Sequence, residues 1–247
     1  MHPILFKLGP LTVYSYGFLV AVAFLSVYVL AQKKASQVGL SPGNLLDLLL
    51  VLFVSGVVGA RFFYVLQHLE DFRGRWWDSF MIQEGGLVWY GGFLIAATTG
   101  FLTAYLRRWP LLKLADFFTP YLALAQGIGR MGCFLNGCCY GKPSNVFWAT
   151  RFSSDVARHP VQIYEAAASF LIFVFLFKFY ECPSKSRRTG IVFVLYLILY
   201  AVTRFGLEFF RGDQILIGRL SQPQWTSLAL FLGALFLYGF IRKKSSR

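Results

Sequence analysis

Seven apolar runs of about 20 residues recur along the chain, each long enough to cross a hydrocarbon core of about 30 Å at 1.5 Å per residue. Hydrophobic residues make up 57% of the sequence and charged residues 14%, more apolar surface than a soluble fold could hide. The pattern predicts an all-α integral membrane protein with about seven transmembrane helices, forming a single polytopic membrane domain over residues 1–247. The spans are expected near Leu11–Gln32, Asn44–Gln67, Gly86–Leu106, Ala115–Leu135, Gln162–Tyr180, Gly190–Phe210 and Gln222–Ile241.

The formal net charge of +13 does not point to nucleic acid, because the bases sit in short clusters between apolar runs. Clusters follow every odd span: Lys33 and Lys34; Arg107, Arg108 and Lys113; Lys178, Lys185, Arg187 and Arg188; and Arg242, Lys243, Lys244 and Arg247. Those ends hold 13 of the 24 basic residues but three of the 11 acidic ones. They are expected to be cytoplasmic, which places the N-terminus outside, the C-terminus inside, and requires an odd number of crossings. The first span has its lysines at the far end and no positive n-region, so it reads as an uncleaved helix and not a removed signal peptide. The six tryptophans fall near span ends or in outer loops, as amphipathic rings should.

Arg61, Arg130 and Arg204 lie inside predicted spans, where even mild insertion scales charge about 2.5–3.5 kcal/mol each at the helix centre. Counted from the predicted cytoplasmic starts they stand 14 to 17 residues deep, roughly 21–25 Å, in the outer half of the bilayer. Glu208 and Arg211 follow Arg204 by four and seven residues and share its helix face. Glu165 lies near the outer end of its own span. One reading is that these arginines form buried structural bridges with Glu165 and Glu208. Two acids do not neutralise Arg61, Arg130, Arg204 and Arg211, however, so the positive charge is expected to face an anion, and a guanidinium fork suits phosphate oxygens. A phospholipid headgroup in the outer leaflet fits the depth. Asp47 and Asp116 are expected in the first turns of their helices, complementing the helix dipole.

The fourth span ends in GRMGCFLNGCCYG, residues Gly129–Gly141. This string resembles the signature of the bacterial prolipoprotein diacylglyceryl transferases. Further segments match in the same order: TVYSYG at Thr12–Gly17, GARFFYV at Gly59–Val65, HPVQIYE at His159–Glu165 and YAVTRFGLEFFRGD at Tyr200–Asp213. The resemblance implies transfer of diacylglyceryl from phosphatidylglycerol to the lipobox cysteine thiol in the signal peptide of a prolipoprotein. It implies a bacterial inner (plasma) membrane enzyme with its active site toward the outer leaflet, and no cofactor.

By the same resemblance Arg130 and Arg204 are essential arginines, with Tyr90 as a third catalytic candidate standing where some members carry a histidine proposed as base. Tyr16, Arg61, Asn136, Gly141, Gln162, Glu165, Glu208 and Arg211 are carried over as phosphatidylglycerol-binding candidates. Cys138 stands where some members carry glutamate. The four cysteines, Cys133, Cys138, Cys139 and Cys182, lack paired C-x-x-C spacing, so neither a disulfide framework nor a metal site is expected from their linear order. A secondary transporter for an anionic substrate is the competing class, but it predicts inverted repeats, and the chain has no convincing internal repeat.

Overall fold

The computed structural model describes all residues except 1, 10, 83–84, 153–155, 183–187, 213, 215 and 245–247. Among the described residues seven α-helices dominate: α1 (Ser15–Gln32), α2 (Pro42–Gln67), α3 (Trp89–Leu106), α4 (Leu111–Asn136), α5 (Val161–Glu181), α6 (Ile191–Glu208) and α7 (Gln222–Lys244). Five of them, α1, α2, α5, α6 and α7, are long and apolar enough to cross a membrane.

Among the described residues three two-stranded hairpins depart from a purely helical fold. They pair β1 (Ile4–Leu8) with β2 (Leu11–Tyr14), β3 (Thr150–Arg151) with β4 (Ala157–Arg158), and β5 (Leu216–Ile217) with β6 (Leu220–Ser221), all antiparallel. The run LTVY, expected as the start of the first span, is therefore strand, in keeping with its β-branched and aromatic residues. The chain bends into α1 at Ser15, whose hydroxyl donates to the His2 carbonyl, while the His2 amide donates to Leu135 O at 3.1 Å. The N-terminal hairpin is thereby fastened to the end of α4.

Two compact units emerge: residues 1–31 with 112–247, and residues 32–111. In the first, Ala123 of α4, Ile172 and Leu176 of α5, and Val192 and Tyr196 of α6 form one buried cluster. Val194, Ala234 and Ile241 join α6 to α7. α4 begins at Leu111, earlier than expected, so buried Asp116 lies beyond its first turn. Its carboxylate instead accepts from the Gly190 and Phe193 amides, at 2.6 and 2.9 Å, and so caps α6, where a negative charge meets orphan N–H groups. Asp47 likewise falls beyond the first turn of α2, which starts at Pro42 behind the Ser41 cap.

In the second unit, α2 and α3 touch backbone to backbone. A Cβ on Gly59 would lie 2.8 Å from Gly91 O, one on Gly91 2.8 Å from Gly59 O, and one on Gly92 2.8 Å from Gly56 O. Lipid offers no hydrophobic drive for helices to associate, so small residues that permit such close contact supply the attraction. Gly59→Val should force the helices apart at a cost of about 1–3 kcal/mol, read as a lowered thermal unfolding midpoint in detergent. Val57→Leu in the same helix serves as the control and should leave it nearly unchanged.

Candidate active site

Three arginines and two glutamates come together in the first unit. Glu165 stands on the second turn of α5, and its carboxylate lies 2.8 Å from Arg130 Nε of α4 and 2.8 Å from Arg204 Nη1 of α6. Arg204 Nη1 also lies 3.0 Å from Glu208, one turn along α6, as the i, i+4 spacing requires. Arg211, just past α6, reaches Glu165 at 3.6 Å and Glu208 at 3.8 Å. Both carboxylates are buried, Glu165 at 5% and Glu208 at 1% exposure. Glu208 is further held by the Ser221 hydroxyl, which donates to it at 3.0 Å.

Arg130 spends only Nε on Glu165, and its two terminal nitrogens carry no ion pair or hydrogen bond among the described residues. Arg204 likewise uses Nη1 alone. Both line a narrow cleft of about 10 Å³ together with Gln126, Glu165, Tyr200 and Thr203.

The other candidates of the first unit surround this group. Gln162 is fully buried, and its Nε2 donates to Cys138 O at 2.5 Å, tying the segment after α4 to the start of α5. Gly141 donates its amide to His159 O at 2.9 Å and pairs with Arg211 as a β-bridge. A Cβ at Gly141 would lie 2.6 Å from Phe210 O, so no larger residue fits. Tyr16 of α1 lays its ring against Gly132 of α4, where a Cβ would stand 3.0 Å from it. Asn136 is the exposed last residue of α4. Arg158, which the sequence reading passed over for want of a motif, donates to Gly141 O at 3.4 Å and stacks its guanidinium 4.9 Å from the Tyr140 ring centre.

Arg61 and Tyr90 belong to the second unit. Arg61 is 7% exposed and donates from all three nitrogens to backbone carbonyls: Nη2 to Asp78 at 2.6 Å, Nε to Ser79 at 2.7 Å, and Nη1 to Gly85 at 2.7 Å and Gly86 at 3.3 Å. Gly85 and Gly86 both have positive φ, a conformation glycine adopts without strain, and Tyr64 and Phe72 cover the cation with their rings. Arg61 thus folds the α2–α3 connection. Tyr90, in the first turn of α3, is 64% exposed and packs edge-on against Trp89.

Residues 3–240 match the sequence profile of the prolipoprotein diacylglyceryl transferases. The chain belongs to that family. It is 32% identical over 250 residues to a phosphatidylglycerol–prolipoprotein diacylglyceryl transferase of Clostridium tetani, covering 98% of each chain. It is 33% identical over 255 residues to one of Thermotoga maritima, covering 98% of this chain and 85% of that protein. With one from Bordetella avium it shares 32% identity over 256 residues, 99% of this chain and 96% of the relative.

In this transferase-family chain the end of α4 also gathers three thiols. Gly137, with φ +75°, closes the helix in a Schellman motif: the Cys138 amide donates to Cys133 O and the Gly137 amide to Phe134 O, both at 3.1 Å. That turn folds Cys138 back over Cys133, and Cys139, itself at φ +62°, joins them so that the three sulfurs lie within 4.8 Å of one another. Hydrogen bonds with the Cys133 and Cys138 thiols, aided by the charges of Arg211 and Arg130, hold the Cys139 thiol below the usual thiol range despite burial. Linear spacing hides this cluster; the signal in the sequence is the glycine between the helix and the cysteine pair.

Two outcomes follow from this geometry. Glu165→Gln leaves buried guanidinium groups without their shared carboxylate and should cost about 3–5 kcal/mol, measurable by thermal unfolding in detergent. Arg61→Lys keeps the charge but replaces the three-nitrogen fork by one ammonium; the loss of carbonyl partners, about 1–3 kcal/mol, should appear as faster proteolytic cutting between residues 68 and 88.

Proposed function

We propose that the chain transfers the diacylglyceryl group of phosphatidylglycerol to the lipobox cysteine thiol of a prolipoprotein, forming a thioether and releasing glycerol phosphate. Family membership and the activity named for its relatives support the reaction. The geometric observation that carries it is Arg130, anchored through Nε on Glu165 with its terminal nitrogens uncommitted at the cleft. An edge of a guanidinium held this way offers two parallel N–H donors, which match two phosphate oxygens.

The acceptor sulfur attacks the glycerol carbon, the bond from that carbon to the phosphate oxygen breaks, and the electron pair departs on the phosphate. Arg130 and Arg204 stabilise the charge that grows there, and fixed donors in a low-dielectric site do so without reorganising. Glu165 and Glu208 hold the arginines in place. Admission of a headgroup requires α4, α5 and α6 to part beyond the present 10 Å³ cleft. Tyr16, Asn136, Gln162 and Arg211 line the approach in this reading, and Gly141 keeps the backbone close enough for it.

We further infer seven crossings in a bacterial inner membrane, with the N-terminus periplasmic, the C-terminus cytoplasmic and the arginine cluster toward the outer leaflet. The bias of basic residues to alternate ends and the odd number of long helices support this orientation. An anion transporter could use the same arginines, but membership in a family of transferases favours group transfer.

Purified protein incubated with phosphatidylglycerol and a lipobox peptide is expected to yield thioether-lipidated peptide by mass spectrometry. Arg130→Ala should abolish the product, and Arg130→Lys should lower turnover roughly 10²-fold because the fork is lost. Unmodified peptide after incubation with the unaltered chain overturns the proposal; anion flux into proteoliposomes without lipid consumption would establish the transporter in its place.

A further inference from the structure

We propose that Cys133, Cys138 and Cys139 form a three-thiolate site for a zinc-like divalent ion whose fourth position takes the acceptor thiol as thiolate; this rests on the transferase reading. The three sulfurs all lie within 4.8 Å of one another. Thiolates around zinc at about 2.3 Å stand roughly 3.8 Å apart in a tetrahedron, so small side-chain rotations bring the three onto one ion. Three protein ligands plus one open position is the arrangement of catalytic zinc, whereas structural zinc is closed by four.

The backbone around the thiols is built to hold them. The Schellman turn at Gly137 fixes Cys138 above Cys133, and buried Gln162 pins the Cys138 carbonyl from α5 at 2.5 Å. All three cysteines are partly exposed, which leaves a face for a fourth ligand. Arg130 precedes Cys133 by three residues and so shares its helix face. A divalent ion with three thiolates carries one negative charge, and the neighbouring Arg130 and Arg211 favour it.

The position supplies what the reaction needs. A free thiol near neutral pH is only a few per cent ionised, and Glu165 at the cleft and Glu208 behind Arg204 are already engaged by arginine. Coordination displaces the acceptor thiol's proton to solvent and leaves its sulfur as a bound thiolate. That sulfur then forms the bond to the glycerol carbon as the carbon–oxygen bond breaks, the electron pair leaves with the phosphate, and the thioether product, a weaker ligand, dissociates. No electron is gained or lost by the ion.

The test uses the reduced, metal-stripped full chain in detergent, titrated with cobalt(II) and followed by its sulfur-to-metal charge-transfer and visible bands. The expected result is a saturating charge-transfer band that zinc displaces and that the triple variant Cys133→Ser, Cys138→Ser, Cys139→Ser lacks, with helical circular dichroism unchanged. A lipobox peptide should shift the visible bands and its Cys→Ser analogue should not. Chelation should slow lipidation roughly tenfold near neutral pH, with the residual rate climbing as pH rises toward about 8.5, the range of a free thiol. Absence of the band, a band that survives triple replacement, or a visible spectrum indifferent to the peptide overturns the site. Lipidation at full rate by the chelated triple variant overturns the metal inference alone. No lipidation by the unaltered chain, metal-loaded or metal-free, overturns the transferase reading and the ion's role with it.

Discussion

The Glu165 carboxylate lies 2.8 Å from Arg130 and Arg204 and 3.6 Å from Arg211, so guanidinium groups from α4, from α6 and from the segment beyond α6 all depend on where α5 stands. Cations this close repel one another, and each resists leaving water. A single buried anion at their centre turns that repulsion into cohesion, and Glu208 adds a second. Because burial of such charges is costly unless every partner is in place, the network holds the three helices in one arrangement and fixes the direction in which Arg130 presents its outer edge.

Much of this arrangement can be read from the chain before any coordinates. Apolar runs locate seven helices to within a few residues, and the i, i+4 spacing of Arg204 and Glu208 makes their contact a matter of helix geometry. The meeting of Glu165 with Arg130 and Arg204 is a tertiary fact, and the sequence supports it only through the poverty of other anions at that depth. The hairpin at residues 4–14 is hidden for a different reason: an apolar strand and the start of an apolar helix look alike until the pairing partner is known. The thiol cluster is hidden because Cys133, Cys138 and Cys139 lack the paired C-x-x-C spacing, and they meet only because a left-handed glycine folds the chain back on itself.

Arg61 and Arg130 show how identical side chains at similar expected depths acquire different work. Arg61 is surrounded by carbonyls that two glycines turn toward it, and all three of its nitrogens donate there. Arg130 meets one carboxylate edge-on through Nε and retains the rest of its fork. What separates them is the local supply of acceptors, which depends on the backbone between residues 68 and 88 and is not written in the arginine's own neighbourhood.

Arg130 stands six residues before the end of α4, Arg204 four before the end of α6 and Glu165 on the second turn of α5, so all three lie beyond the end turns in which a helix dipole acts, and it is their pairing that holds them. Had Glu165 and Arg130 exchanged places, the ion pair would survive in kind, but the guanidinium fork would rise from α5, away from the turn that gathers Cys133, Cys138 and Cys139. The cation and the thiols share the exit of α4 because Gly137 reverses the chain there and returns Cys138 and Cys139 to Cys133, one turn beyond Arg130.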